Sequence, residues 1–154
     1  MLAIAAYQWY LFFHILAAAA WVGGGLALAA LAIAARKQDD PAQELALVRL
    51  GGKIGGPFFG VSGLVLLGFG FALVAEGDWD WGEAFVIWGF AAWAFSLLTG
   101  IFYYGMEQRG LDAAAERGDD AEVRRRLNRY YMVGRIDSLV LVSAVFAMSA
   151  KPFL

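Results

Sequence analysis

Residues 7–34 read YQWYLFFHILAAAAWVGGGLALAALAIA and contain no aspartate, glutamate, lysine or arginine. Lipid offers a backbone no hydrogen-bond partners, so a helix of roughly 20 apolar residues is the cheapest way across a core of about 30 Å. This run is longer than required and has room to tilt or to project into the interface. A secretory signal peptide needs a positive stretch ahead of a short apolar core. Here the first charge is Arg36 and the run before it is too long, so a retained helix is expected.

Three more stretches meet the same requirement: residues 54–75, 83–106 and 130–150, the last despite Arg135 and Asp137 within it. The expected fold is a single all-α transmembrane domain, a four-helix bundle over residues 1–154. Composition agrees: 61% of residues are hydrophobic and only 17% are charged, which a water-soluble domain of this length would not show. The charges that exist are sorted. Arg36, Lys37, Arg49 and Lys53 lie between the first two spans, and Arg109, Arg117, Arg124, Arg125, Arg126 and Arg129 between the last two. Glu76, Asp78, Asp80 and Glu83 fill the middle loop without a single base. Counting Arg135, eleven of the twelve basic residues fall on one side and only Lys151 on the other. The positive-inside rule then predicts a multi-pass protein of the bacterial inner membrane with both termini outside. Tyr7, Trp9, Tyr10, Trp79 and Trp81 form the expected outer aromatic belt.

The two basic loops carry helix signals of their own. Asp40, Pro41 and Gln43 give an N-cap, a proline in the first turn and a capping-box glutamine. Leu45, Val48 and Leu47 would then face the membrane surface. Asp119 and Asp120 precede Val123, Leu127 and Tyr131, spaced four residues apart among arginines. Both loops are expected to form short amphipathic helices at the anionic inner leaflet, the second running into the last span. A weak internal echo also appears at an offset of 75: Gly63-Leu64-Val65-Leu66 and Phe71-Ala72-Leu73 against Ser138-Leu139-Val140-Leu141 and Phe146-Ala147-Met148. With the Asp39-Asp40 and Asp119-Asp120 pairs ahead of each, it suggests two hairpins in parallel orientation.

Polar groups inside a bilayer are costly and face the bundle interior. His14 is the only histidine, two turns into the first helix. Met148 falls at a comparable depth on the fourth helix, and Lys151 just beyond it could meet a carboxylate such as a haem propionate. A histidine–methionine pair is a known axial set for haem b and a plausible copper(I) pair, which makes His14, Met148 and Lys151 candidate ligand-binding residues. Arg135 and Asp137 form a second node nearer the basic side, pointing to different faces of their helix, with Tyr103, Tyr104, Glu107 and Lys53 as candidate partners. Glycines crowd residues 23–25 and 51–70, with Gly51/Gly55 and Gly56/Gly60 each making a GxxxG pair. Such faces admit close helix packing, a homodimer, or a flat cofactor.

The segments Trp9-Tyr10-Leu11-Phe12-Phe13-His14-Ile15-Leu16 and Trp21-Val22-Gly23-Gly24 resemble the first helix of CopD-like membrane proteins and of HemJ-type protoporphyrinogen oxidases. The resemblance is greatest to their uncharacterised four-helix bacterial relatives, a predicted integral membrane family. The ending Met148-Ser149-Ala150-Lys151-Pro152 resembles the Met-x-x-Lys-Pro terminus of that family. The resemblance implies a haem ligand at His14 and, on the CopD side, an association with copper uptake. The chain has fewer helices than CopD and lacks the extra histidines and methionines of a copper relay.

Three functions follow as expectations: a haem- or metal-binding protein using the outer-leaflet residues, a non-catalytic structural or accessory subunit, and a small-solute transporter or channel built on Arg135 and Asp137. The absence of cysteine excludes disulfides, thiolate metal sites and thiol catalysis. No P-loop, GxSxG, HExxH or dinucleotide fingerprint is present. The basic residues sit in two membrane-flanking loops, so the lipid bilayer rather than nucleic acid is the expected partner.

Overall fold

The computed structural model of the chain describes residues 2–38 and 40–151, with side chains from residue 6 onward. Asp39 and Pro152, which belong to the acidic pair and the Lys-Pro ending noted above, lie outside the described residues. The chain folds as α1 (Leu2–Arg36), α2 (Pro41–Glu76), α3 (Ala84–Leu98), a π-helical segment (Thr99–Tyr104), α4 (Gly105–Glu116) and α5 (Asp120–Ala150), with no strand among the described residues. The segment from α3 to α4 is continuous, so four long helices result, each apolar enough to cross a bilayer. The protein is a four-helix membrane bundle. α1 packs along α2 and α3 along α5, and contacts of α1 with α5 and of α2 with α3 close the bundle.

The bundle is apolar on the outside, the reverse of a soluble fold. Leu139 is 70% exposed, and Val61, Leu64 and Phe146 are nearly as open. In water such a surface would aggregate, whereas in lipid it costs nothing.

The start of α2 is capped by the residue expected to cap it. The Asp40 side chain accepts from the Ala42 and Gln43 backbone N–H groups at 3.0 and 3.4 Å, ahead of Pro41 in the first turn of α2. At the other connection, Gly118 adopts a left-handed φ of 68°, open to glycine without a Cβ penalty. Its N–H bonds the Ala115 carbonyl and the Asp119 N–H bonds that of Ala114, both at 3.0 Å, which completes a Schellman turn. Asp119 then caps α5 by accepting from the Glu122 N–H at 3.0 Å.

The expected amphipathic segments are helical: the second runs into the last span as expected, and the first is continuous with α2 rather than a separate surface helix. With 36 residues, α2 is roughly 54 Å long at 1.5 Å per residue, well beyond a bilayer core. Leu45 and Val48 of α2, Leu111 and Ala114 of α4, and Val123 and Leu127 of α5 are buried against one another in one cluster. Their apolar stripes thus face each other and not the membrane surface. Each stripe is satisfied once the other two are present, which leaves nothing to lie on lipid. Ion pairs rim this head: Arg49 with Asp112 at 2.6 Å, and Arg126 with Glu107 at 3.3 Å and Glu122 at 2.7 Å. Arg36, at the end of α1, donates to the Asn128 side chain of α5.

Candidate functional site

The acidic end of the bundle holds the outer-leaflet residues singled out from the sequence. His14 turns toward α2, where its Nδ1 lies 3.2 Å from the Leu66 carbonyl oxygen. A carbonyl only accepts, so Nδ1 carries the proton and, in the neutral ring, Nε2 is left with a free lone pair. Gly70 makes room for the ring: a Cβ there would lie 3.3 Å from His14 Cε1. Met148 turns elsewhere. Its methyl fills a notch over Gly89 of α3, beside the buried cluster of Val74, Phe85 and Val86. Lys151 caps α5 in a left-handed conformation with φ 42°, and its ammonium sits 3.6 Å from the centroid of the Trp79 ring. Trp79 in turn donates its indole N–H to the Tyr7 hydroxyl at 3.4 Å. Met148 and Lys151 thus meet around Phe85, while His14 faces α2. Among the described residues no group of three or more histidines or carboxylates is placed to hold a metal ion.

One turn and more toward the basic end, the bundle is stoppered. Trp21, only 4% exposed, lies flat on Gly63 of α2, where a Cβ would come within 3.2 Å of its ring. Trp93 of α3 meets Trp21 edge-on with centroids 6.5 Å apart, and donates its indole N–H to the Gly63 carbonyl at 2.9 Å. One glycine thus receives one indole and anchors the other.

Below this stopper opens a cavity of about 520 Å³, bounded by all four long helices. Its walls include nine glycines, five of them on α2 (Gly51, Gly52, Gly55, Gly56 and Gly60). Gly56, Gly60, Gly100 and Gly105 have nothing within 4 Å of where a Cβ would stand, so the space exists because these side chains are missing. The π-helical segment borders the cavity through Gly100, Ile101 and Tyr104. Segments of this kind recur at functional sites because the extra residue per turn re-aims the side chains. Polar groups border it from α5 (Arg135, Asp137, Ser138, Tyr130 and Tyr131) and from the other helices (Arg36, Ser96, Tyr104 and Gln108). Asp137 faces the buried Ser96 hydroxyl, while its Oδ1 is shut away from solvent without a hydrogen-bond partner. Among the described residues, neither Arg135 nor Asp137 forms an ion pair.

The polar node is thus present, with a changed membership. Tyr104 lines the cavity with Arg135 and Asp137, its hydroxyl 3.4 Å from a Cβ built on Gly134. Tyr103 packs edge-on against Tyr104 and lies outside the lining. Glu107 is taken by Arg126, and Lys53 is exposed. The residues that sequence reasoning missed are Ser96, Gln108, Tyr130 and the Trp21–Gly63–Trp93 stopper. The one pointer to the stopper was a glycine set among leucines at position 63, with tryptophans at matching depth on two other helices.

The model of a family described as "Predicted integral membrane protein (DUF2269)" matches residues 9–152. The chain belongs to this family. The DUF2269 match begins at Trp9 and ends at Pro152, so His14, Met148, Lys151, the Trp21–Gly63–Trp93 contact and the whole cavity lie within the family region. No curated protein and no solved structure matches the chain.

Proposed function

We propose that the protein binds a small polar solute inside the membrane, as a carrier or solute-binding subunit, and that Arg135 and Asp137 hold it. One observation carries this reading: a glycine-walled cavity of about 520 Å³ between all four helices, into which an intramembrane carboxylate and an arginine project without pairing. Ionisable groups at such depth are retained where a ligand, ion or pathway uses them. In this reading the protein resides in a bacterial inner membrane with both termini outside, supported by eleven of twelve basic residues at one end. The test uses purified protein in lipid nanodiscs, with tryptophan emission recorded against a panel of small amines, carboxylic acids, zwitterions and neutral polyols. A saturable response to at least one class, lost in both Asp137→Asn and the cavity-filling Gly60→Leu, is expected. Silence across the whole panel refutes the reading.

A second reading keeps His14 as an iron ligand for haem b, or as a copper ligand, in line with the resemblance to HemJ-type and CopD-like proteins. What supports it is the anchoring of Nδ1 on Leu66, which leaves Nε2 free to ligate. Met148 would have to leave its notch over Gly89 to act as the second ligand, and Lys151 its seat on Trp79 to meet a propionate. Absorption spectra with and without haemin, and copper analysis, test it. A Soret band abolished by His14→Ala is expected, and a protein without band or copper ends this reading. Self-association through glycine faces, a further proposal, would use Gly23 and Gly68, which are exposed with open space before them, because Gly56 and Gly60 line the cavity. Crosslinking in the membrane, with and without Gly68→Leu, decides it.

A further inference from the structure

The charges on the cavity wall carry information about what the cavity takes, granted the solute-binding reading above. Asp137 is a hydrogen-bond acceptor with one oxygen fully buried and unpartnered. Arg135, an exposed and permanent cation, also borders the cavity. Other arginines near this end have found local partners. Arg36 bonds Asn128 and sits over the Tyr131 ring, Arg49 pairs with Asp112, and Arg126 is shared by Glu107 and Glu122. Arg36 also lines the cavity but is held by Asn128 and the Tyr131 ring, whereas Arg135 and Asp137, the other charges of the lining, form no ion pair among the described residues.

Complementarity excludes simpler occupants. A cation without an anionic end would satisfy Asp137 and place a second positive charge beside Arg135. An anion without a donor would satisfy Arg135 and leave the buried Asp137 oxygen facing a negative group. A neutral polyol would leave both charges uncompensated, at most cost for the buried Asp137 oxygen. A molecule with an ammonium and a carboxylate close together answers both. The two residues stand two positions apart on α5 and both border the cavity. The remaining walls suit an apolar remainder: Trp21, Phe59 and Tyr130 offer ring surface, and the α2 glycines leave depth. We infer that the cavity binds a small zwitterion, an α-amino acid with an apolar side chain, ammonium on Asp137 and carboxylate on Arg135.

The experiment compares three molecules of one shape: L-leucine, isopentylamine, which lacks the carboxylate, and 4-methylpentanoate, which lacks the ammonium. Each is titrated into the full chain in nanodiscs while tryptophan emission and calorimetric heat are followed. L-leucine is expected to saturate at least tenfold more tightly than either single-charge analogue. Asp137→Asn should weaken leucine tenfold or more and leave 4-methylpentanoate unchanged or tighter. Arg135→Gln should do the converse with isopentylamine. Because each variant has one analogue it should still bind, a merely misfolded variant is told apart from a correct one. Equal binding of leucine and either analogue overturns the zwitterion and assigns a single-charge site. Binding of some other panel solute with none of these three also overturns it while leaving the solute-binding reading standing. No binding by any solute overturns both.

Discussion

At the basic end, Leu111 and Ala114 of α4 are completely buried among apolar side chains from α2 and α5. Two turns or so back along the same continuous helix, Gly100 and Gly105 face open space. The head is packed as a soluble protein is packed, by interlocking leucines and valines under a rim of ion pairs. The membrane half is packed through glycine notches, each accepting one large side chain: Gly63 takes Trp21, Gly70 takes His14, and Gly89 takes Met148. The difference follows from the solvent. Water drives apolar side chains together, so the head gains from every methylene it buries. Lipid supplies no such drive, so helices there gain only from close fit. Where the fit is left unmade, as below the stopper, the hydrophobic effect exerts no pressure to collapse the space. The head can hold the helix ends together while the cavity stays open.

The sharpest way to break this comparison is to remove the same atoms in both regions. Leu111→Ala should cost about 2–5 kcal/mol in the head. Leu139→Ala, on the lipid-facing surface, should stay within about 0.5 kcal/mol. Reversible unfolding in mixed micelles reads both, and equal losses would mean that the head is not a water-type core. A smaller contrast tests the notches. Gly63→Val drives a branched side chain into Trp21 and should cost about 1–3 kcal/mol with a shift in tryptophan emission. Gly56→Ala meets nothing within 4 Å and should leave stability unchanged or raise it by up to about 1 kcal/mol through helix propensity. Next in size, Asp119→Ala removes the cap that joins α4 to α5 and should cost about 1 kcal/mol, read in the same melts. Least of all, Arg49→Gln breaks an exposed pair, with its partner Asp112 40% exposed, and should cost less than about 1 kcal/mol, fading as salt is added.

Depth was legible from the residues, and direction was not. The rise per residue assigns His14, Met148 and Lys151 to one level and Arg135 with Asp137 to another, and the latter two border one cavity. Which way a side chain turns depends on the neighbouring helix, and nothing in the local sequence states the neighbour. Hence His14 and Met148, assigned to one level, face Leu66 and Gly89. Tyr103 and Tyr104, adjacent in sequence, likewise divide between the outside and the inside of the cavity lining. The caps at Asp40 and Asp119 were legible because capping is local chemistry. The apolar spacing of Val123 and Leu127 marked a stripe but not its destination, since the third partner, Leu111 with Ala114, lies in a segment dominated by charge and alanine. The π-helical turn at Thr99–Tyr104 has no sequence mark: TGIFYY suits an ordinary helix equally well.

The stopper has an optical consequence. Of the six tryptophans, Trp9, Trp81 and Trp88 are exposed and Trp79 is held under Lys151, whereas Trp21 and Trp93 meet nearly at right angles inside the bundle. Two indoles in that fixed relation couple their electronic transitions and produce a signed couplet in circular dichroism. Trp93→Phe would erase the couplet, and any movement of the stopper would change its amplitude. The chain therefore carries, in its own absorption, a gauge of how α1 and α3 meet over Gly63.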